Sequence, residues 1–109
     1  MKVELRIVNT AIAEVLRGYV ERRLRFALGH LGEGVSLVSV TVSRNVRGEA
    51  NCRISSHIVP FGQVGVRETD RDLFIAIDRA TGKFGRLFGR TLQRAREAKA
   101  GRESVRLAA

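Results

Sequence analysis

VSLVSVTVSRNVRGEANCRISSHIVPFGQVGVRET, residues 35–69, contains extended segments separated by turn signals. Residues 35–43 are a β-branched run in which Ser and Thr alternate with apolar residues, as a half-buried strand requires. RNVRGEA supplies a turn. Residues 51–59 place Cys52, Ile54 and Ile58 at period two, a second strand of this stretch. PFGQ turns the chain again, and VGVRET gives a short further strand. Successive strands joined by short turns predict an antiparallel meander.

On the N-terminal side, KVELRIV alternates Val3, Leu5 and Ile7 with Lys2, Glu4 and Arg6, so residues 2–8 read as another half-buried strand. Thr10 is an acceptable N-cap for a helix over 11–30. Ile12, Leu16, Tyr19, Val20, Leu24 and Ala27 form its apolar stripe, Arg22 and Arg25 point away, and the glycines of GHLGEG end it. On the C-terminal side, Thr69 or Asp70 is the expected N-cap of a long helix over about 71–98, with Leu73, Ile77, Ala80, Phe84, Leu87 and Phe88 on its core stripe. The order is therefore β-α-β-β-β-α. It predicts an α+β fold, a two-layer sandwich with a four-stranded sheet and both helices on one face. Residues 1–98 read as the folded domain and 99–109 as a short, basic, flexible tail.

The 109 residues carry 20 Lys and Arg against 11 Asp and Glu, a net charge of +9. Residues 79–106 hold nine cations and two acids, hence +7 of that excess; residues 1–78 hold eleven cations and nine acids. Such segregation points to a polyanionic partner. No run is long enough to span a membrane, and the N-terminus, interrupted by Lys2, Glu4 and Arg6, is unlike a signal peptide, so a cytoplasmic protein is expected. The single Cys52 excludes an internal disulfide.

Arg79, Lys83, Arg86, Arg90 and Arg94 follow one another at spacings of four, three, four and four, which predicts a continuous basic ridge beside the core stripe. Gly82, Gly85 and Gly89 fall on the side remote from that stripe. The expectation is bare backbone that lets a phosphate chain approach the ridge. Arg22, Arg23 and Arg25 of the first helix could widen the same surface or form an ordinary outer face. Aromatic platforms for unpaired bases are scarce: Tyr19, Phe84 and Phe88 lie on core stripes, leaving Phe26 and Phe61 as candidates for exposure.

Nothing in the sequence forms a catalytic constellation. His30 and His57 have no evident triad partner, and Asp70, Asp72 and Asp78 read as a capping cluster. Metal-ligand spacing and a P-loop are absent, and Cys52 alternates with the core face. No catalytic residue, metal, cofactor or small-molecule substrate is expected.

Element order and the second helix together resemble the short ribosome hibernation factors, the ribosomal subunit interface or sigma-54 modulation family. The motif is Asp-x-(Tyr/Phe)-x-Ala-Ile-Asp-x-x-x-x-Lys-(Leu/Phe)-x-Arg, met by Asp72, Phe74, Ala76, Ile77, Asp78, Lys83, Phe84 and Arg86. The segment TAIAEVLRGYVERRL is similar to the family's opening helix. The resemblance covers about residues 2–95. It implies a topology like that of a double-stranded RNA-binding domain. It also implies binding of a free monomer to 16S rRNA of the small ribosomal subunit, at the subunit interface near the tRNA and mRNA sites. There the family blocks translation and preserves idle ribosomes under stress and in stationary phase. The motif carries RNA contact onto Lys83, Arg86 and Arg90, and the basic pair of the first helix onto Arg22 and Arg23. Gly82, Gly85 and Gly89 stand where the family usually has polar or charged residues, and Leu87 replaces a Gln. The length corresponds to the family's short form, without its extra C-terminal domain. Two other functions fit the residues: a general binder of duplex RNA, and a protein-interaction module acting on a transcription factor.

Overall fold

The computed structural model describes residues 1–8, 13–58 and 62–108, with side chains as far as 101 except at 34 and 99. The elements are β1 (Lys2–Val8), α1 (Ala13–Leu28), a 3-10 segment (Gly29–Gly34), β2 (Leu37–Arg44), β3 (Ala50–Ile58), β4 (Gly62–Asp70) and α2 (Leu73–Ala108). Sheet order is β1-β2-β3-β4. β1 runs parallel to β2, the crossover being α1, while β2–β3 and β3–β4 are antiparallel. This is the expected α+β order. The Thr10 cap and Ile12, and the Pro60–Phe61 turn, lie outside the described residues.

Period two sends Val38, Val40, Val42, Cys52, Ile54, Ile58 and Val64 to one face of the sheet, where all are buried. α2 covers β3 and β4, and α1 lies beside α2 with Leu16, Val20, Leu24 and Leu28 buried. Ala76, Ile77, Ala80, Phe84 and Phe88 complete the core from α2. α1 ends where Gly29 takes φ 52°, a left-handed conformation that glycine adopts without steric penalty. The following GHLGEG then coils into the 3-10 turn rather than a loop.

Burial pushes the Cys52 thiol from its ordinary value near 9 up to about 12. A thiol that holds its proton more tightly when folded contributes stability that is complete below about pH 9 and declines as pH climbs towards 12. Cys52 is therefore expected to resist a thiol reagent at pH 8 in the native protein and to react within seconds in denaturant. Rapid labelling of the native chain would show that this strand is not closed.

α2 departs from the sequence reading at both ends. The cap of α2 is Asp72, not Thr69 or Asp70: its Oδ1 accepts from the backbone N–H of Phe74 at 2.9 Å and of Ile75 at 3.2 Å. Asp70 remains in β4, where its Oδ1 accepts from the N–H of Asp72. Asp72→Ala should lower stability by about 1 kcal/mol, seen as a fall in Tm, whereas Thr69→Ala should change little. The far end of α2 also differs, since the helix continues to Ala108. Residues 90–108 contain no Pro, and the single Gly101 opposes helix by only about 1 kcal/mol. Among the described side chains of α2, Thr91 is the last that is buried and Leu92 the last that packs against the core, while Gln93, Arg94 and residues 96–98 are exposed.

Candidate nucleic-acid interface

Arg79, Lys83, Arg86, Arg90 and Arg94 are all exposed on α2. They divide into two groups. The first two lean over the β4 edge, where alternation turns Glu68 and Asp70 toward the helix. Arg79 donates to Asp70 Oδ2 at 3.0 Å and Lys83 to Glu68 Oε1 at 3.1 Å. Exposed pairs of this kind contribute little and leave the cation within reach of a phosphate. Arg86, Arg90 and Arg94 make no ion pair with any described residue. Stacked at i, i+4, these like charges repel along the helix, a small stability penalty that an anionic partner would remove.

From α1, Arg23 is drawn into a clip between the helices. Its Nε lies 3.0 Å from Asp78 Oδ1, an ion-pair contact without hydrogen-bond alignment. Tyr19 donates its hydroxyl to the same oxygen and stands edge-on to Phe74 at 4.9 Å between ring centroids. The hydrogen bond to Asp78, reinforced by partial burial, raises the Tyr19 phenol above its ordinary 10.0. Beyond the clip, Arg23, Phe26, Ala27, Gly82, Gly85 and Arg86 line a groove between α1 and α2. Arg23 sits 5.7 Å from the centre of the Phe26 ring, and Phe26 is 80% exposed. Arg22 is exposed and lies back along α1 near Gly18. Arg25 is exposed on the other flank, beside Met1, Gly29, Gly32 and Glu33. The fold thus brings Arg23 and Arg86 together, continues the surface into Arg90 and Arg94, and leaves Arg25 apart.

The reading of the glycines changes. Gly85 is buried, and a Cβ placed there would lie 2.7 Å from the carbonyl oxygen of Ala27. The two helices approach closely here. Gly89 faces Leu31, whose Cδ1 would stand 3.4 Å from an added Cβ. Gly82 alone of the three borders only a ridge side chain, with Arg86 Nη1 3.5 Å from an added Cβ. Remoteness from the sheet-facing stripe turned Gly85 toward α1 and Gly89 toward the 3-10 turn, not toward solvent. The groove with Phe26 at its rim was not legible in the sequence, because it exists only between elements.

Among the described residues no group of His, Cys, Asp and Glu could hold a metal ion, and no helix is long and apolar enough to cross a membrane.

No protein-family model matches the sequence, and no curated protein does. Solved structures do. The chain is similar to the N-terminal domain of Protein Y from Thermus thermophilus, with 28% identity, TM-score 0.65, and coverage of 84% of this chain and 99% of that one. It is also similar to a ribosomal subunit interface protein from Coxiella burnetii, with TM-score 0.73 over 85% of this chain and 99% of that one. At 13% identity this second likeness is one of fold. The fold is the one the motif implied.

Proposed function

We propose that this chain binds the small ribosomal subunit at the subunit interface, near the tRNA and mRNA sites, and silences idle ribosomes without catalysing a reaction. In this reading residues 1–98 carry ribosome binding and 99–109 form a basic appendage. The free protein is a cytoplasmic monomer, and 16S rRNA is the ligand. One observation carries the proposal: Arg86, Arg90 and Arg94 stand exposed, without acid partners among the described residues, on a fold shared with a ribosomal subunit interface protein. Affinity then comes from phosphate neutralisation and surface shape, so it falls steeply with salt. Arg23, Arg86 and Phe26 form the groove part of the contact, and Arg22, Arg79, Lys83, Arg90 and Arg94 its flanks. Arg25, on the other side of α1, is peripheral.

The test is co-sedimentation with 30S, 50S and 70S particles at low and high salt, with free duplex RNA as competitor. Saturable, salt-sensitive binding to 30S and 70S that duplex RNA does not displace is the expected result. Equal binding to every particle and to duplex RNA would mean a general RNA binder. Absence of binding would reject the ribosomal reading.

A further inference from the structure

The face of the sheet turned away from the helices carries its own charge pattern. Along β4, alternation turns Glu68 and Asp70 toward α2 and Arg67 and Thr69 to the opposite side. The register then sets Arg67 opposite Arg53, Arg53 opposite Thr41, and Thr41 beside Arg6. Three arginines and a threonine thus form one row across all four strands, about 14 Å from end to end at the usual strand spacing. The neighbouring row is Glu4, Ser39, Ser55 and Gly65. Among the described strand residues of this face, Glu4 on β1 is the one acid, against Lys2, Arg6, Arg53 and Arg67. Arg6, Arg53 and Arg67 are exposed and form no ion pair with the described residues.

Like charges directly opposite on antiparallel strands destabilise a sheet. Arg53 and Arg67 stand in that relation with no carboxylate between them, at a shallow depression also lined by Ser55, Gln63 and Gly65. An anion bridging the two guanidinium groups converts the repulsion into binding energy. His57, four residues along β3 from Arg53, is the one aromatic ring among the described residues of this face, so a run of unpaired bases has no series of stacking platforms. Hydroxyl and amide groups beside paired arginines suit a sugar–phosphate chain.

We propose that this open sheet face is a second RNA-backbone site, on the opposite side of the molecule from the α1–α2 surface, so that two RNA segments grip the protein between them. The ribosomal source of that RNA rests on the function proposed above; the site itself does not. It is tested on the isotope-labelled full chain by NMR titration with a twelve-nucleotide uridine RNA, in the wild type and in Arg86→Glu/Arg90→Glu/Arg94→Glu. Amide and guanidinium signals of Thr41, Arg53, Ser55 and Arg67 should shift in both proteins. Adding Arg53→Thr/Arg67→Thr to the helix variant should weaken RNA binding about tenfold and flatten its salt dependence by about 1.4 in slope, the amount for two single-strand phosphate contacts. Threonine favours strands and removes the repulsion, so Tm should hold or rise. Arg53→Gln/Arg67→Gln, closer in length, should give the same loss of binding. Shifts confined to α1 and α2, or unchanged affinity in both arginine variants, would overturn the site; an acidic protein as the true partner gives that outcome. A wild type that fails to sediment with 30S particles removes the ribosomal reading alone, because the oligonucleotide titration needs no ribosome.

Discussion

Arg86→Glu/Arg90→Glu/Arg94→Glu is expected to lower ribosome affinity by about 10³-fold or more at moderate salt, while the protein melts within a few degrees of the wild type. Each reversal removes a cation from the phosphate-facing surface and puts a carboxylate there. The slope of log K against log salt should fall by about two or more, with three phosphate contacts gone. Stability is spared because none of these residues is buried or ion-paired with a described residue, and Glu and Arg favour helix about equally. Repulsion at i, i+4 is exchanged for repulsion of the other sign. Arg90→Glu alone separates the two effects: a carboxylate between Arg86 and Arg94 gains two attractive pairs, so Tm should rise slightly while binding weakens. Wild-type co-sedimentation by the triple variant would rule out this arginine row as the binding surface.

Gly85→Ala should destabilise the fold, and Gly82→Ala should stabilise it, although both exchange glycine for the best helix former. At 82 the added methyl meets only the flexible end of Arg86, so the gain in helix propensity, about 1 kcal/mol, is kept. At 85 the methyl would sit 2.7 Å from the Ala27 carbonyl oxygen and 3.2 Å from its Cβ. A backbone oxygen cannot swing aside, so the helices must part, and overpacking of this kind costs about 1–3 kcal/mol. Set against the helix-propensity gain of about 1 kcal/mol, this leaves a net loss of up to about 2 kcal/mol, a fall in Tm of up to roughly 10 °C for a domain of this size. Separation would also strain the Tyr19–Asp78–Arg23 clip, which spans the same interface. Thermal melts of the two variants decide the matter by sign. If Gly85→Ala also melts higher, the close approach of α1 and α2 does not exist in solution.

Element order, strand alternation and the exposure of Arg79 to Arg94 were legible in the sequence because each depends on a local period. Two residues per strand repeat and 3.6 per helical turn hold whatever the element packs against. The motif from Asp72 to Arg86 went further, since its residues named the fold now seen. The sequence left the partners of each face undetermined. A helical wheel gives the angle between Gly85 and the core stripe; only the tertiary structure shows that α1 occupies that direction. The cap was misassigned because Thr69, Asp70 and Asp72 all suit the role, and the length of β4 selected the last. Charge along the chain counted residues 1–78 as nearly neutral, yet folding sorts them: alternation in β4 sends Glu68 and Asp70 to the helix side, and register gathers Arg6, Arg53 and Arg67 on the other. Period is a property of neighbouring residues, and sequence contains it. Which surfaces meet, and which charges they leave unpaired, depends on contacts between residues far apart in the chain, which the packed structure alone brings together.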